Sequence, residues 1–177
     1  MRESSYFSFV PSPIGELLLA SSGPALTGVW MMPPGGWAGK PRPGRRDDAL
    51  LRPAREQLRA YFAGELLDFD LPLAAAGTEF QQRVWQALGA IPYGATASYA
   101  AIARAIGSPT ATRAVGAANG RNPIAIIVPC HRVIGKDGTL TGYGGGLARK
   151  QWLLRHEAGV LKHRARSAAT PAVLAGG

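Results

Sequence analysis

The chain has 177 residues, with 20 Lys and Arg against 11 Asp and Glu, a formal charge of +9. That length supports one ordinary domain, or two small ones, without disulfide or metal staples, and the charge points to a polyanionic partner, nucleic acid first. A single cysteine, Cys130, excludes an intramolecular disulfide, and with three histidines, all C-terminal, a four-ligand cysteine-rich zinc site cannot be built. The N-terminal Met1-Arg2-Glu3-Ser4-Ser5 has no apolar signal core, and no stretch approaches the ~20 apolar residues of a membrane span. A soluble, intracellular protein in a reducing, cytoplasmic setting is expected.

Tyr6, Phe9 and Val10, then residues 14–20 and 25–32, are short apolar or alternating runs parted by Pro11-Ser12-Pro13 and Ser22-Gly23-Pro24. They predict an N-terminal antiparallel sheet. Residues 33–46 are mostly Pro, Gly and Arg, the composition of a loop. From Leu50 the apolar positions Leu50, Ala54, Leu58, Tyr61 and Phe62 recur with helical period, predicting an amphipathic helix that ends at Gly64. A short strand over 66–71 is expected next, and Ala74-Ala75-Ala76-Gly77 marks a domain boundary, giving domains 1–77 and 78–159.

Thr78 and Gln81 have the spacing of a capping box, and Phe80, Val84 and Leu88 then share one helix face. Ile91-Pro92-Tyr93-Gly94 stops that helix. Ser98 can cap another over 99–106, ending at Gly107, and a further helix over 110–119 follows at the spacing of a helix-turn-helix. On spacing alone a plain helical hairpin is the better-supported alternative. The second helix has Ala111, Ala114, Val115, Gly116, Ala117 and Ala118 and few hydrogen-bonding side chains: Thr110, Thr112, Arg113 and Asn119. Such a helix either packs tightly in a core or approaches a DNA groove closely while reading little. The charge favours DNA, because residues 1–77 carry 8 basic and 8 acidic side chains whereas 78–177 carry 12 and 3.

Residues 124–128 are apolar and β-branched, as in a buried strand, and lead into Pro129-Cys130-His131-Arg132-Val133-Ile134-Gly135. A lone cysteine is often only a small core side chain. Adjacent residues on an extended chain also point apart, so the Cys-His dipeptide does not itself place imidazole on sulfur. Thiolate chemistry needs a base near the thiol and a carboxylate to orient that base. Glu79, Asp137 and Glu157 are the carboxylates of this region. Glu157 falls at the end of a helix expected over 147–158, where a carboxylate opposes the helix dipole, a small pointer to function. Arg132 is the nearest charge to the thiol and reads equally well as structural.

The run from Asn122 to Gly135, preceded by Arg113-Ala114-Val115-Gly116 and followed by Gly142-Tyr143-Gly144-Gly145-Gly146, closely resembles the O6-alkylguanine-DNA alkyltransferases, the methylated-DNA-protein-cysteine methyltransferases. The likeness is dense over 78–157 and looser before, where Ser12-Pro13-Ile14-Gly15 and Tyr61-Phe62-Ala63-Gly64-Glu65 still resemble the family. It implies an α+β fold, with an N-terminal ribonuclease-H-like α/β roll and a mainly helical C-terminal domain bearing a winged-helix-like helix-turn-helix. It also implies DNA repair by direct reversal. The protein would enter the minor groove of double-stranded DNA largely without sequence preference, flip out O6-alkylguanine, and transfer the alkyl group irreversibly to Cys130. O4-alkylthymine is a second candidate base.

By the same resemblance His131 is the base, acting through water, and Glu157 orients it. Arg113 fills the vacated stack and Tyr99 rotates the 3′ phosphate and bonds the base edge, with Thr110, Ala114 and Gly116 on the DNA-facing helix. Asn122, Val133, Tyr143, Gly144 and Lys150 belong to the substrate pocket; Asn122 suits a simple turn equally well, and Lys150 a solvated helix face. The thioether product has no good leaving group, so each molecule acts once, with no cofactor and no methyl donor. No metal is expected, since residues 1–77 hold neither Cys nor His. A monomer associated with the nucleoid is expected, cooperativity on DNA being left open, and residues 160–177 are expected to be a disordered basic tail. The alternatives are a non-catalytic, lesion-binding alkyltransferase-like protein, against which Cys130 argues, a Cys-His hydrolase, which leaves the one-sided charge unexplained, and a transcriptional regulator, for whose extra module there is no room.

Overall fold

The computed structural model describes residues 5–33 and 44–169. The three N-terminal apolar runs form β1 (Tyr6–Val10), β2 (Leu17–Ser21) and β3 (Leu26–Met31), an antiparallel meander with Val10 opposite Leu17 and Leu19 opposite Val29. β2 is central and buried throughout, which is why its sequence is nearly all apolar rather than alternating. A fourth strand was not legible: β4 (Arg45–Arg46) pairs parallel to β1, giving the order β3-β2-β1-β4. It lies at the edge of the stretch expected to be a loop, whose residues 34–43 are outside the described residues. The Arg46–Asp48 ion pair at 2.9 Å and the Ser8 hydroxyl donating to Asp48 at 2.5 Å hold this edge.

α1 (Arg52–Phe62) buries Ala54, Leu58 and Tyr61 and packs against β1. Gly64, at φ +76°, ends it as expected. Residues 66–71 form no strand, contrary to the composition. The Gln57 side chain takes both main-chain groups of Asp70, at 2.8 and 2.9 Å, and only Leu73 makes an isolated bridge to Leu26. Local side-chain bonds thus occupy groups that a ladder would have used.

α2 (Glu79–Gly89) starts at the expected capping box: Thr78 accepts from the Gln81 N–H at 3.3 Å and Gln81 accepts from the Thr78 N–H at 2.9 Å. A two-residue strand, β5 (Ala97–Ser98), leads into α3 (Tyr99–Ala105), where Ser98 caps the Ala101 N–H, and α4 (Thr112–Gly120) packs on both α2 and α3. Residues 124–128 are buried at every other position, yet they are a tight turn and not a strand. Ile126 sits at φ +75°, a left-handed conformation that costs a β-branched residue about 1–3 kcal/mol. Asn122 makes the turn possible by accepting from the Ile124 N–H at 3.0 Å and donating to the Val128 carbonyl at 2.8 Å. The chain continues as a 3₁₀ turn, Cys130–Arg132, and β6 (Val133–Ile134), parallel to β5.

The last helix, α5 (Leu147–Ala169), runs past its expected end and through the first ten residues of the stretch expected to be disordered. Ala, Leu, Lys and Arg favour the continuation, and Arg164 donates to the carbonyls of Gly64 and Glu65 at 2.8 and 2.9 Å. Residues 170–177 are outside the described residues. One apolar cluster unites the two parts, from Val10, Leu17 and Leu58 to Val84, Leu88, Ile124 and Leu153. Among the described residues no helix is long and apolar enough to cross a membrane.

Thr78→Ala removes the side-chain half of the capping box and should cost about 1 kcal/mol in equilibrium denaturation. The denaturant midpoint should fall with an unchanged slope, and function per folded molecule should stay constant.

Candidate active site at the Cys130 turn

Three segments converge on one carboxylate of α5. Glu157, in the middle of α5 rather than at its end, has no solvent exposure. Its Oε1 accepts from His131 Nε2 at 2.8 Å, from the Tyr61 hydroxyl at 2.8 Å and from Arg132 at 3.0 Å; its Oε2 accepts from Arg132 Nε at 3.0 Å and the Gly94 N–H at 3.0 Å. Gly94, which brings this N–H to Glu157, has φ +74°, a left-handed conformation that favours glycine, and a Cβ there would press on Leu161. Burial alone would push the Glu157 carboxyl up; bonds and charge from His131 and Arg132 outweigh it and hold it at about 2.

An ionised carboxylate can only accept, so Nε2 of His131 carries the hydrogen. Burial, the largest effect on this imidazole, lowers its pKa against the opposing pull of Glu157, and His131 is neutral at pH 7. Its Nδ1 is buried without a hydrogen-bond partner among the described residues, the nitrogen left to take a proton. Cys130 is 5% exposed, and burial raises its thiol pKa, with Asn122 and Lys150 among the groups that oppose the rise. The resting sulfur is therefore a protonated thiol that needs a base. Arg132 is structural in geometry: besides Glu157 it bonds the Ile91 carbonyl at 2.6 Å and lies over the Tyr93 ring.

Cys130 opens onto a cavity of about 270 Å³. Its walls include Asn122, Tyr143 and Gly144, as expected, together with Val29, Trp30 and Met31 of β3 and Asn119 of α4, which sequence reasoning missed. Asn119 donates to the Cys130 carbonyl at 3.4 Å. Burial and the neighbouring Cys130 raise the Tyr143 hydroxyl pKa well above its usual value, so it remains a donor. Val133 and Lys150 do not line the cavity. Lys150 is buried, not solvated, and its Nζ donates to the carbonyls of Val133 at 2.6 Å and Thr141 at 2.9 Å, pinning the loop that precedes Tyr143.

On α4, Thr110 just before it, Arg113, Ala114 and Ala117 are exposed, a face of small side chains with one long cation. Gly116 faces inward, where its Cβ position would touch the Tyr99 ring at 3.7 Å. Tyr99, the first residue of α3, donates its hydroxyl to the Thr141 carbonyl at 3.3 Å, linking this helix pair to the loop that Lys150 pins. Tyr61 was legible only as an apolar-face residue; a lone phenol in that stripe was the signal that its hydroxyl needs a buried partner.

The stability of this cluster depends on pH with a definite sign. His131 is lowered below its ordinary 6.5, so stability falls as pH drops below that value, where the unfolded state binds the proton first. Glu157 is lowered from 4.5 to about 2, so its contribution is complete above 4.5 and lost as pH falls through that window. Equilibrium unfolding should therefore weaken steadily from neutral to acid pH, and Glu157→Gln should be less stable at neutral pH with a shallower decline below 4.5.

Comparison with known proteins gives a consistent pattern. Residues 79–159 match the family model described as 6-O-methylguanine DNA methyltransferase, DNA binding domain, and residues 5–75 match its ribonuclease-like domain. A methylated-DNA–protein-cysteine methyltransferase of Mycolicibacterium paratuberculosis is 56% identical over 154 residues, covering 84% of this chain and 89% of that protein. One of Methanosarcina acetivorans is 53% identical over 159 residues, covering 86% and 97%. The crystal structure of the Mycobacterium tuberculosis O6-methylguanine methyltransferase superposes with a TM-score of 0.81 at 50% identity, covering 96% of this chain and 97% of that one. A structure of the M. tuberculosis protein in complex with DNA matches with a TM-score of 0.81 at 53% identity, covering 88% and 94%.

Proposed function

Since the chain belongs to the 6-O-methylguanine DNA methyltransferase family, we propose that Cys130 is the acceptor to which it transfers alkyl groups from guanine O6. It is a DNA-repair methyltransferase, mixed α+β in fold, with DNA as its partner. The observation that carries the residue assignment is the buried Cys130 turn with His131 held on Glu157 at 2.8 Å. The domains divide at 77/78, the N-terminal part supplying a wall of the pocket and the C-terminal part the DNA contacts and the thiol.

The flipped base occupies the cavity over Cys130. The thiol proton passes through water to Nδ1 of His131, and Glu157 stabilises the imidazolium formed. Sulfur attacks the alkyl carbon, the S–C bond forms as C–O6 breaks, and the electron pair returns to the guanine, which takes up a proton. Tyr143 and Gly144 supply the pocket loop at the base, and Asn122 holds the turn that delivers Cys130. Val133 and Lys150 act behind the wall, shaping that loop. The thioether has no good leaving group, so the reaction runs once per molecule. It needs no methyl donor.

Arg113 enters the base stack and Tyr99 engages the 3′ phosphate, while Thr110 and Ala114 let α4 approach the minor groove closely; Gly116, expected on that face, instead makes room for the Tyr99 ring. The exposed, nearly bare face of α4 supports this role, and so does the C-terminal excess of positive charge, which gives sequence-independent attraction to phosphates. The protein works as a monomer near the nucleoid.

Incubation with O6-methylguanine duplex should add the mass of one methyl, in place of the thiol proton, at Cys130 and in one equivalent per chain. Cys130→Ala should bind DNA and transfer nothing; a label elsewhere or repeated turnover contradicts the assignment. Arg113→Ala should slow repair of duplex DNA by about tenfold or more, since flipping costs a few kcal/mol, while leaving reaction with free O6-benzylguanine near wild type. Equal losses on both substrates would make Arg113 a pocket or packing residue.

A further inference from the structure

We infer that Tyr61 is a positioning residue of the alkyl-transfer centre, its hydroxyl fixing the Glu157 carboxylate that orients His131, so that α1 of the N-terminal part completes the catalytic set. The inference rests on the Cys130–His131–Glu157 assignment proposed above.

The simple alternative is that a buried phenol merely needs an acceptor. Three observations favour more. First, the acceptor is Glu157 Oε1, the same oxygen that receives His131 Nε2, each at 2.8 Å. Any change in donation by Tyr61 is therefore felt directly by the imidazole. Second, Tyr61 is held from several directions: it is fully buried, its ring meets Phe69 and Tyr93, and its carbonyl accepts from His156 Nε2 at 2.9 Å. His156 precedes Glu157 on α5 and stacks on Trp152 at 4.9 Å, so the backbone of α1 and the hydroxyl of Tyr61 set the position of one short stretch of α5. Third, burial and the adjacent carboxylate raise the phenol pKa, so it stays protonated and donates at every working pH.

The charged and titratable groups around His131 are Glu157 and Lys150 of α5, Arg132 of its own turn, and the Cys130 thiol. Glu157 also faces Tyr61 of α1 and Tyr93 after α2, the latter beside Arg132 and Arg164. Of these, Tyr61 alone comes from residues 1–77. Its bond spreads the carboxylate charge and limits the proton affinity of His131, which must be neutral to accept the thiol proton. Without the hydroxyl, more charge falls on His131, its proton affinity rises, and the acid limb of the transfer rate moves to higher pH. The freed carboxylate also loses an anchor.

The test is the single-turnover rate of alkyl transfer from free O6-benzylguanine, measured from about pH 5 to about pH 9, which brackets the titration range of histidine. Tyr61→Phe should move the acid limb up by about half a pH unit or more and lower the plateau about three- to tenfold, with DNA affinity unchanged. In a Glu157→Gln background the same substitution should add no further change, because the effect passes through the carboxylate. Incorporation of 3-fluorotyrosine at position 61, a stronger donor of nearly the same shape, should move the limb the opposite way, a readout that survives if Tyr61→Phe folds poorly. An unmoved limb in both variants overturns the proposal, as does a uniform loss that persists in the Glu157→Gln background. A wild-type protein that transfers nothing overturns the alkyl-transfer assignment itself, and this inference with it.

Discussion

A carboxylate without solvent exposure, in the middle of α5, is the point on which the surrounding structure closes. An isolated buried charge costs far more than a domain's entire stability, and Glu157 persists because donors from α1, the loop after α2 and the Cys130 turn all aim at its two oxygens. The same bonds tie together segments that are remote in sequence. Removing one partner would leave the others buried and underpaired, a loss of about 3–5 kcal/mol for such a pair. The network therefore links folding and chemistry: the group that orients His131 also fixes where α5 lies against the N-terminal part.

The Cys130 turn is built to be unreactive until a base is offered. Burial keeps the thiol protonated and the imidazole neutral, so neither carries charge at rest. A buried, protonated thiol is protected from ordinary electrophiles by this arrangement, because thiolate is what they attack. The strained turn around Ile126 has the same logic. Asn122 and the bonds between Val29 and the segment 123–125 hold a conformation that a β-branched residue resists, and Cys130 is thereby placed at the cavity wall.

The cavity itself crosses the boundary between the two parts, with Val29, Trp30 and Met31 on one side and Cys130 and the Tyr143 loop on the other. Met31 approaches so closely that a side chain at Gly145 would collide with its sulfur, so the shape of the pocket depends on how the sheet docks as well as on the residues near the thiol. Lys150, with its charge spent on two carbonyls, stiffens the intervening loop from behind.

Local rules were enough for much of this. The strands of the meander, the capping box at Thr78, the Ser98 cap and the stop at Gly64 follow from period and backbone chemistry within a few residues, and these are interactions that a sequence contains whole. The residues around Cys130 likewise carry a signature legible without coordinates. What failed were the places where remote partners decide. Residues 66–71 and 124–128 have strand composition but place backbone bonds on Gln57 and Ala60, and on Asn122, Val29 and each other, and α5 outruns its expected end because Arg164 finds carbonyls of residues 64 and 65. Whether Glu157 could reach His131, whether Lys150 was solvated, and that Tyr61 would meet the same carboxylate oxygen were settled only by tertiary packing. A buried charge selects its partners by proximity in space, and spacing along the chain carries no record of a neighbour 96 residues away.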